Sequence, residues 1–281
     1  MVVDHRTKSV VWSVRGTFGL SDILTDLVAH SVPFLLPQYV AHKGMVKCVD
    51  GLVESVWPLV QRVLDEFPGY WLVTTGHSMG AAVASMLAMW VRHTFPELPI
   101  VCWAYASPPC VSLNLSETTR DYIFGLAFGD DVITRLSLES LAMLKRRLRY
   151  ILDEGPGFWK SVTQGLAVSA QVEERLTQLG VLVGDRWAFE LELERDYAKH
   201  SQRLWPPVRQ LYLYELDSRI VAEESDCRHF NSIVLSSKLL NHHLPTSYDK
   251  ALIHLIKQLK LEELEVKQHG APPQVAMKEE S

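Results

Sequence analysis

Short apolar runs alternate with longer stretches of helical periodicity in the first half of the chain. Four runs are rich in β-branched, aromatic and small residues: 9–14, 69–75, 99–105 and 122–128. They lack the polar alternation of a half-exposed strand, which is typical of strands buried on both faces of a sheet. The sequence therefore predicts an α/β fold, in which a mostly parallel sheet is flanked by helices.

Helical patterns fill the spaces between these runs and dominate the second half of the chain. Residues 45–66 predict one long amphipathic helix, and residues 137–210 predict a mainly helical insertion before the last strand. That strand is expected at 231–235, and the last helix is expected to begin at about Ser247. We therefore expect a single domain over residues 1–262.

The two ends of the predicted domain differ in character from its middle. Residues 263–281 are polar and contain adjacent prolines, so they are expected to form a disordered tail. The first twelve residues (MVVDHRTKSVVW) are charged and lack the apolar run of a signal peptide. No stretch of the chain is long and apolar enough to predict a transmembrane segment.

An apolar segment at 29–42 (AHSVPFLLPQYVAH) contains two prolines, which disfavour a regular helix. We expect a hydrophobic surface loop, in which Phe34, Leu35 and Leu36 are candidates for a lid over a functional site. The alternative is that these side chains fill a gap in the core beneath the loop. The pattern alone favours neither interpretation.

Composition and charge narrow the classes of function. The 281 residues are 47% hydrophobic and carry a net charge of -5, whereas a nucleic-acid-binding protein is normally basic. Four scattered cysteines form neither a zinc motif nor a disulfide scaffold, which favours a reducing compartment. We therefore expect a cytoplasmic or peripheral membrane protein without a nucleic-acid partner.

The pentapeptide Gly76-His77-Ser78-Met79-Gly80 fits the pattern G-x-S-x-G. It follows a predicted buried strand and precedes a helix of small residues, which is the setting of a nucleophile elbow. Such a sharp turn strains the backbone, and side chains at the two glycine positions would collide with neighbouring elements. Ser78 is therefore the candidate nucleophile; the alternative is a glycine-rich turn with an incidental serine.

A nucleophilic serine needs a base and an acid that orients the base. In proteins with a nucleophile elbow of this kind, these residues follow one another along the chain in the order Ser, then Asp or Glu, then His. The run 122–128 leads directly into Asp130 and Asp131, and the loop after the last predicted strand contains His242 and His243. Chain order does not decide between the two members of either pair.

The negatively charged oxygen of a tetrahedral intermediate needs hydrogen-bond donors. The backbone N–H of Met79, directly after the nucleophile, is one expected donor. The other is expected from Arg15-Gly16-Thr17, the loop after the first predicted strand. Gly16 allows a close approach there, and Thr17 can offer its N–H and its hydroxyl.

These motifs together resemble the class 3 (fungal-type) lipase family, and within it the sn-1-specific diacylglycerol lipases. The segments that carry the resemblance are SVVWSVRGTFGLSDILTDL, AHKGM, GHSMGAAVASML, FGDDVITRLS and NHHLP. They extend from about residue 8 to residue 260, although residues 137–210 match nothing in the family pattern. The resemblance implies the α/β-hydrolase fold and a serine lipase that hydrolyses glycerolipid esters, with diacylglycerol as the expected substrate.

The resemblance also implies particular site residues. The family pattern is an aspartate, two apolar or small residues and a Pro-Arg-Leu-like end, which fits Asp131, with Thr134 in the usual place of proline. The family's base directly precedes Leu-Pro, which selects His243. The family's oxyanion loop likewise supports Thr17.

Further expectations concern the cofactors, partners and N-terminus. No metal or organic cofactor is required by the family chemistry, and calcium stimulation is expected by analogy only. The expected partner is a glycerolipid at a membrane or micelle surface. Related lipases carry strands before residue 8, so we expect either an N-terminally truncated chain or a compact variant. The alternative functions are a carboxylesterase, phospholipase or monoacylglycerol lipase with the same triad, and an inactive lipase fold that binds lipid.

Overall fold

The structure, a computed structural model, describes residues 1–16, 31–153 and 203–269. The predictions for Thr17 and for 154–202 of the insertion therefore lie outside the described residues. The strands of the described residues are β1 (Val2–Asp4), β2 (Ser9–Val14), β3 (Ser31–Phe34), β4 (Leu36–His42), β5 (Trp71–His77), β6 (Ile100–Tyr105), β7 (Ile123–Phe128), β8 (Arg209–Leu216) and β9 (Arg219–Asp226).

Within the described residues, the main sheet has seven strands in the order β1-β2-β5-β6-β7-β8-β9. Neighbouring strands from β2 to β8 run parallel, whereas β1 and β9 pair antiparallel at the two edges. The mostly parallel sheet predicted from the buried apolar runs is confirmed. Strand β1 was not predicted, because three residues are too short to give a pattern.

Helices alternate with the strands along the chain and pack on the sheet. Those of the described residues are α1 (Lys43–Ser55), α2 (Trp57–Glu66), α3 (Met79–Thr94), α4 (Leu113–Glu117), α5 (Leu138–Asp153), α6 (Leu239–His243) and α7 (Pro245–His269). Helix α3 contacts β5 and β6, and its small residues Ala81, Ala82 and Ala84 are fully buried. Small side chains let the helix backbone lie close to the sheet.

The opposite face of the sheet is covered by α7 near β7 and β9. Tyr248 and Ala251 of α7 are buried in one cluster with Leu126, Phe128 and Leu213. Side chains of a strand alternate between faces, so this cluster lies on the other side of β7 from Ile123. Helix α7 thereby joins the C-terminal part of the chain to the end of β7, where the candidate acid lies.

The single helix predicted at 45–66 is wrong. Helices α1 and α2 are separated at Val56, and α2 begins with Trp57 and Pro58. Proline lacks a backbone N–H and is tolerated only in the first turn of a helix. Pro58 therefore begins a new helix instead of continuing the first.

The surface loop predicted at 29–42 is also wrong in its described part. Strands β3 and β4 form an antiparallel hairpin, with Leu35 at the turn in a left-handed conformation (φ 63°). Phe34 is only 7% exposed and belongs to the main core, and Leu35 packs against that core, whereas Leu36 is 36% exposed. Phe34 fills the core, as the alternative interpretation expected; the lid role stays a prediction.

The strand predicted at 231–235 is wrong, because these residues form no helix or strand. The last strands are β8 and β9, which form an antiparallel pair at the sheet edge. Five of the eight residues of β9 are polar and only Ile220 is buried, so it lacks the apolar run by which the other strands were recognised. Helix α7 continues to His269, seven residues into the predicted tail, and the chain from residue 270 lies outside the described residues.

Two further predictions concern the membrane and the cysteines. Among the helices of the described residues, none has both the length and the apolar character needed to cross a membrane. All four cysteines lie within the described residues and are free thiols. Burial raises the pKa of Cys102 to about 11 and that of Cys110 to about 12, so these two thiols are unreactive at neutral pH.

Candidate active site

Ser78 lies on a sharp turn between β5 and α3. Its backbone has φ 59° and ψ -132°, a conformation that L-residues rarely adopt and that costs free energy. The turn is held from the next strand, because the N–H of Ser78 donates to the carbonyl of Tyr105 over 2.9 Å. The strained elbow predicted from the motif is therefore present in the structure.

Three glycines allow the backbones around this turn to approach closely. A Cβ at Gly76 would lie 2.4 Å from the carbonyl of Gly80, and a Cβ at Gly80 would lie 2.5 Å from the carbonyl of Val14. A Cβ at Gly16 would lie 2.4 Å from the carbonyl of His77. The end of β2, the elbow and the start of α3 are therefore in backbone contact, which only glycine permits at these positions.

Ser78, His243 and Asp131 form a continuous chain of hydrogen bonds. Ser78 Oγ lies 3.0 Å from His243 Nε2, and His243 Nδ1 lies 3.1 Å from each carboxylate oxygen of Asp131. An ionised carboxylate only accepts hydrogen bonds, so Nδ1 carries the proton and Nε2 can accept the serine proton. The structure thus brings together three residues that the sequence predicted. Ser78 lies directly after β5, Asp131 lies in the loop after β7, and His243 is the last residue of α6.

Asp131 is only 1% exposed and is held by two donors besides His243. Its Oδ1 accepts the N–H of Ile133 over 2.8 Å, and its Oδ2 accepts the hydroxyl of Tyr248 over 2.6 Å. The hydroxyl oxygen of Tyr248 in turn accepts the N–H of Phe128 over 3.1 Å. Because that N–H can only donate, the tyrosine proton is directed at the carboxylate. Burial, and then the charge of Asp131, raise the pKa of Tyr248 well above its usual value.

His77, the residue before the nucleophile, packs against the candidate base. Its Nε2 lies 2.8 Å from the backbone carbonyl of His243, and the centres of the two rings are 4.7 Å apart. A carbonyl only accepts, so Nε2 of His77 carries a proton. Burial, and then the neighbouring His243, lower the pKa of His77, which favours its neutral form.

His242, the other member of the histidine pair, contacts the acid loop instead of Ser78. Its Nδ1 accepts the N–H of Asp130 over 2.9 Å, and its ring packs on Phe128 with centres 4.7 Å apart. Gly129 has φ 50°, and a Cβ there would lie 2.5 Å from Nδ1 of His242. Burial lowers the pKa of His242. Asp130 and His242, the rejected alternatives, are therefore bonded to each other.

The expected oxyanion donors are described only in part. Met79 is the first residue of α3, and the N–H groups of a first helical turn point out of the N-terminal end of the helix. Gly16 lies beside the elbow, as the contact of its Cβ position with His77 shows. Thr17 lies outside the described residues, so its contribution stays a prediction.

A cleft of about 390 Å³ opens beside Met79, between the end of β2 and helices α1 and α3. Its apolar walls include Trp12, Val14, Leu52 and Val83. This volume is within the range of small-molecule sites in proteins, and apolar lining is typical of them. The cleft is therefore a place where an apolar part of a substrate could lie.

Sequence reasoning missed the supporting residues of this site. Tyr248 follows the candidate base by five positions, and nothing in its local pattern distinguishes it from an ordinary core tyrosine. His242 was considered only as a base, and His77 only as part of the elbow. The sequence contains one signal of this supporting structure. Gly129-Asp130 directly follows a buried strand, and glycine at such a position indicates a left-handed turn.

The chain is similar in sequence to known lipases. Residues 11–141 match the family model described as "Lipase (class 3)". Diacylglycerol lipase-beta of Mus musculus is 38% identical over 168 residues, which cover 54% of this chain and 24% of that protein. Diacylglycerol lipase-alpha of Homo sapiens is 26% identical over 276 residues, covering 87% of this chain and 26% of that protein. The chain thus matches about a quarter of the length of these relatives.

A solved structure shows the same fold. The crystal structure of a mutant form of MDLA from Penicillium cyclopium superimposes with a TM-score of 0.56 at 18% identity, covering 85% of this chain and 71% of that one. The α/β-hydrolase fold expected from the sequence is therefore confirmed. Residues 11–141 are similar to the class 3 lipase family.

Proposed function

We propose that this chain is a serine lipase that hydrolyses acyl esters of glycerolipids and uses Ser78 as its nucleophile. The observation that carries the proposal is the hydrogen-bond chain from Ser78 through His243 to Asp131. A strained elbow, a buried acid and a half-buried base are what nucleophilic attack by a serine requires.

In the first step, His243 Nε2 takes the proton of Ser78 while Oγ attacks the ester carbonyl carbon. The new C–O bond forms as the carbonyl electrons move onto oxygen, where the N–H of Met79 is the expected donor. The carboxylate of Asp131 stabilises the positively charged imidazole that results. When the intermediate collapses, His243 returns the proton to the leaving alcohol, and the acyl group stays on Ser78.

In the second step, water replaces the alcohol. His243 takes a proton from the water, whose oxygen attacks the acyl carbon. Collapse of this intermediate breaks the bond to Ser78 and returns the proton to Oγ, which releases a carboxylic acid. The proposed steps use groups of this chain, so we expect activity without added metal; comparing calcium with EDTA would test the stimulation expected by analogy.

Diacylglycerol is the substrate that the relatives favour, because two of them are named diacylglycerol lipases. The mainly apolar cleft beside Met79 supports a substrate with a hydrocarbon chain rather than a small polar ester. We expect this lipid to be presented by a membrane or micelle surface. A carboxylesterase with the same triad would instead prefer a short soluble ester.

The test is ester hydrolysis by wild type and by Ser78→Ala, on diacylglycerol micelles and on a short soluble ester. The proposal expects wild-type activity on both, with faster turnover above the critical micelle concentration, and loss of both in the variant. Circular dichroism would check that the variant is folded. Activity that survives in folded Ser78→Ala would contradict the nucleophile, and activity limited to the soluble ester would contradict the substrate class.

A further inference from the structure

The nucleophile, the acid and the base come from three separate parts of the chain, and two additional imidazoles join these parts. We propose that His77 and His242 are positioning residues: His77 ties the nucleophile elbow to the base, and His242 ties the base segment to the acid loop. This inference rests on the proposed serine hydrolase function. It gives roles to two histidines that neither attack the substrate nor move its protons.

His77 makes a bond that keeps the base in place. Its Nε2–H donates to the carbonyl of His243 over 2.8 Å, so the elbow is bonded to the backbone of the residue whose side chain contacts Ser78. The ring of His77 also lies at 79° to that of Tyr248, with centres 5.9 Å apart. His77 is thus packed between the base and the tyrosine that holds the acid.

His242 makes the corresponding bond to the acid. Its Nδ1 must carry a lone pair, because it accepts the N–H of Asp130 over 2.9 Å. Gly129 removes the side chain that would otherwise collide with this ring. Asp130 directly precedes Asp131, and His242 directly precedes His243. This bond, together with the backbone bond from Val132 N–H to the carbonyl of Leu239 (3.4 Å), holds the two segments together.

This arrangement matters because the candidate triad depends on short distances between different elements. The Ser78–His243 and His243–Asp131 contacts measure 3.0 and 3.1 Å. A displacement of about 1 Å in such a site can cost about 100-fold in rate. Helix α6, which carries His242 and His243, has only five residues and no buried side chain, so its position depends on bonds of this kind.

The two bonds respond differently to protonation. A protonated His77 still donates from Nε2, but a protonated His242 gains a hydrogen on Nδ1 and can no longer accept the N–H of Asp130. The charged groups that act on His242 are Asp130 and Asp131 of the acid loop, Lys238 before α6 and Glu215 of β8. Lowering the pH should therefore break the hydrogen bond between His242 and Asp130, in addition to protonating the base His243.

The test pairs an amide replacement with an apolar one at each position. In His242→Asn the amide oxygen can accept the N–H of Asp130, whereas His242→Leu cannot. In His77→Gln the amide N–H can donate to the carbonyl of His243, whereas His77→Leu cannot. The exposed His229→Asn serves as the control. For each folded variant, kcat and KM are measured on a short soluble ester from about pH 5 to pH 9.

We expect the leucine variants to lower kcat by about 10- to 100-fold with little change in KM, because the base and acid move relative to Ser78. The amide variants should stay within about threefold of wild type, as estimated from the preserved hydrogen bond. In wild type, log kcat/KM should fall in acid through a region steeper than a slope of one, because protonation of His242 adds its own partial loss, whereas in His242→Asn the slope should stay near one, as estimated from the number of groups involved.

Equal activity of the amide and leucine variants at both positions would overturn the inference, since hydrogen bonding would then be irrelevant. A KM change without a kcat change would also overturn it. If Ser78→Ala is inactive while both leucine variants have wild-type kcat, the positioning roles fail and the proposed function stands. If Ser78→Ala keeps its activity, the proposed function fails first.

Discussion

Tyr248 donates its hydroxyl proton to Oδ2 of Asp131 across 2.6 Å, from a position in α7 that is 2% exposed. The hydroxyl oxygen of Tyr248 accepts the N–H of Phe128 at the end of β7. One side chain thus satisfies a buried backbone donor and a buried carboxylate oxygen. A buried polar group without a partner is costly, so Tyr248 links the orientation of the candidate acid to the packing of the last helix.

Tyr248→Phe is expected to destabilise the protein and slow the reaction. The variant removes a hydrogen bond to a charged group and leaves the N–H of Phe128 unpartnered, at a cost of about 2–4 kcal/mol in the free energy of unfolding. Thermal unfolding and kcat on a soluble ester would measure both effects. The control is Tyr214→Phe, which removes a longer, exposed bond to Glu223 (3.4 Å). Equal unfolding temperatures for the two variants would contradict this role.

The two partly buried imidazoles, His77 and His242, predict how stability changes in acid. The pKa of His77 and that of His242 are lowered in the folded protein, chiefly by burial. Below about pH 6.5, the unfolded chain therefore binds more protons than the folded chain, and the free energy of unfolding decreases as the pH falls. The double variant His77→Gln/His242→Asn should lose less unfolding temperature than wild type between about pH 7.5 and pH 5.5. An equal loss in both proteins would count against this explanation.

Gly129 and Gly69 offer a matched pair of alanine substitutions. Both have positive φ, but a Cβ at Gly129 would lie 2.5 Å from His242, whereas a Cβ at Gly69 would meet nothing within 4 Å. Gly69→Ala should therefore lower the free energy of unfolding only by the cost of holding alanine in a left-handed conformation, about 1–2 kcal/mol. Gly129→Ala should cost more and should also reduce kcat, since it displaces the ring that holds the acid loop. Chemical denaturation would measure the difference, and equal costs would show that the contact is unimportant.

The extent to which the sequence predicts this protein depends on how local each signal is. The elbow at Ser78 was predictable, because its glycines, strand and helix are contiguous in the chain. Strand β9 was not, because an exposed edge strand carries polar residues. Pro58 is a local signal for the break between α1 and α2, but the amphipathic pattern continues on both sides of it and predicts a single helix. The role of Tyr248 depends on packing between α7 and β7, which no local pattern encodes.

Substitutions at Gly51 test whether the cleft holds a hydrocarbon chain. Gly51 lies within α1, lines the cleft, and has nothing within 4 Å of its Cβ position. Gly51→Ala should stabilise the helix by about 0.5–1 kcal/mol and leave activity unchanged. Gly51→Leu should fill the cleft and lower activity on long-chain diacylglycerol, but not on a short soluble ester. An equal effect on both esters would show that the cleft does not bind the acyl chain.

The central claim is that His243 and Asp131 activate Ser78, and covalent labelling tests it most directly. A fluorophosphonate probe should add once to the wild-type protein, and peptide mass spectrometry should locate the adduct on Ser78. Ser78→Ala should not be labelled, and His243→Ala and Asp131→Asn should be labelled far more slowly while still folded. Labelling of Ser78 at the wild-type rate in the folded His243 variant, or no labelling of folded wild type, would contradict the account.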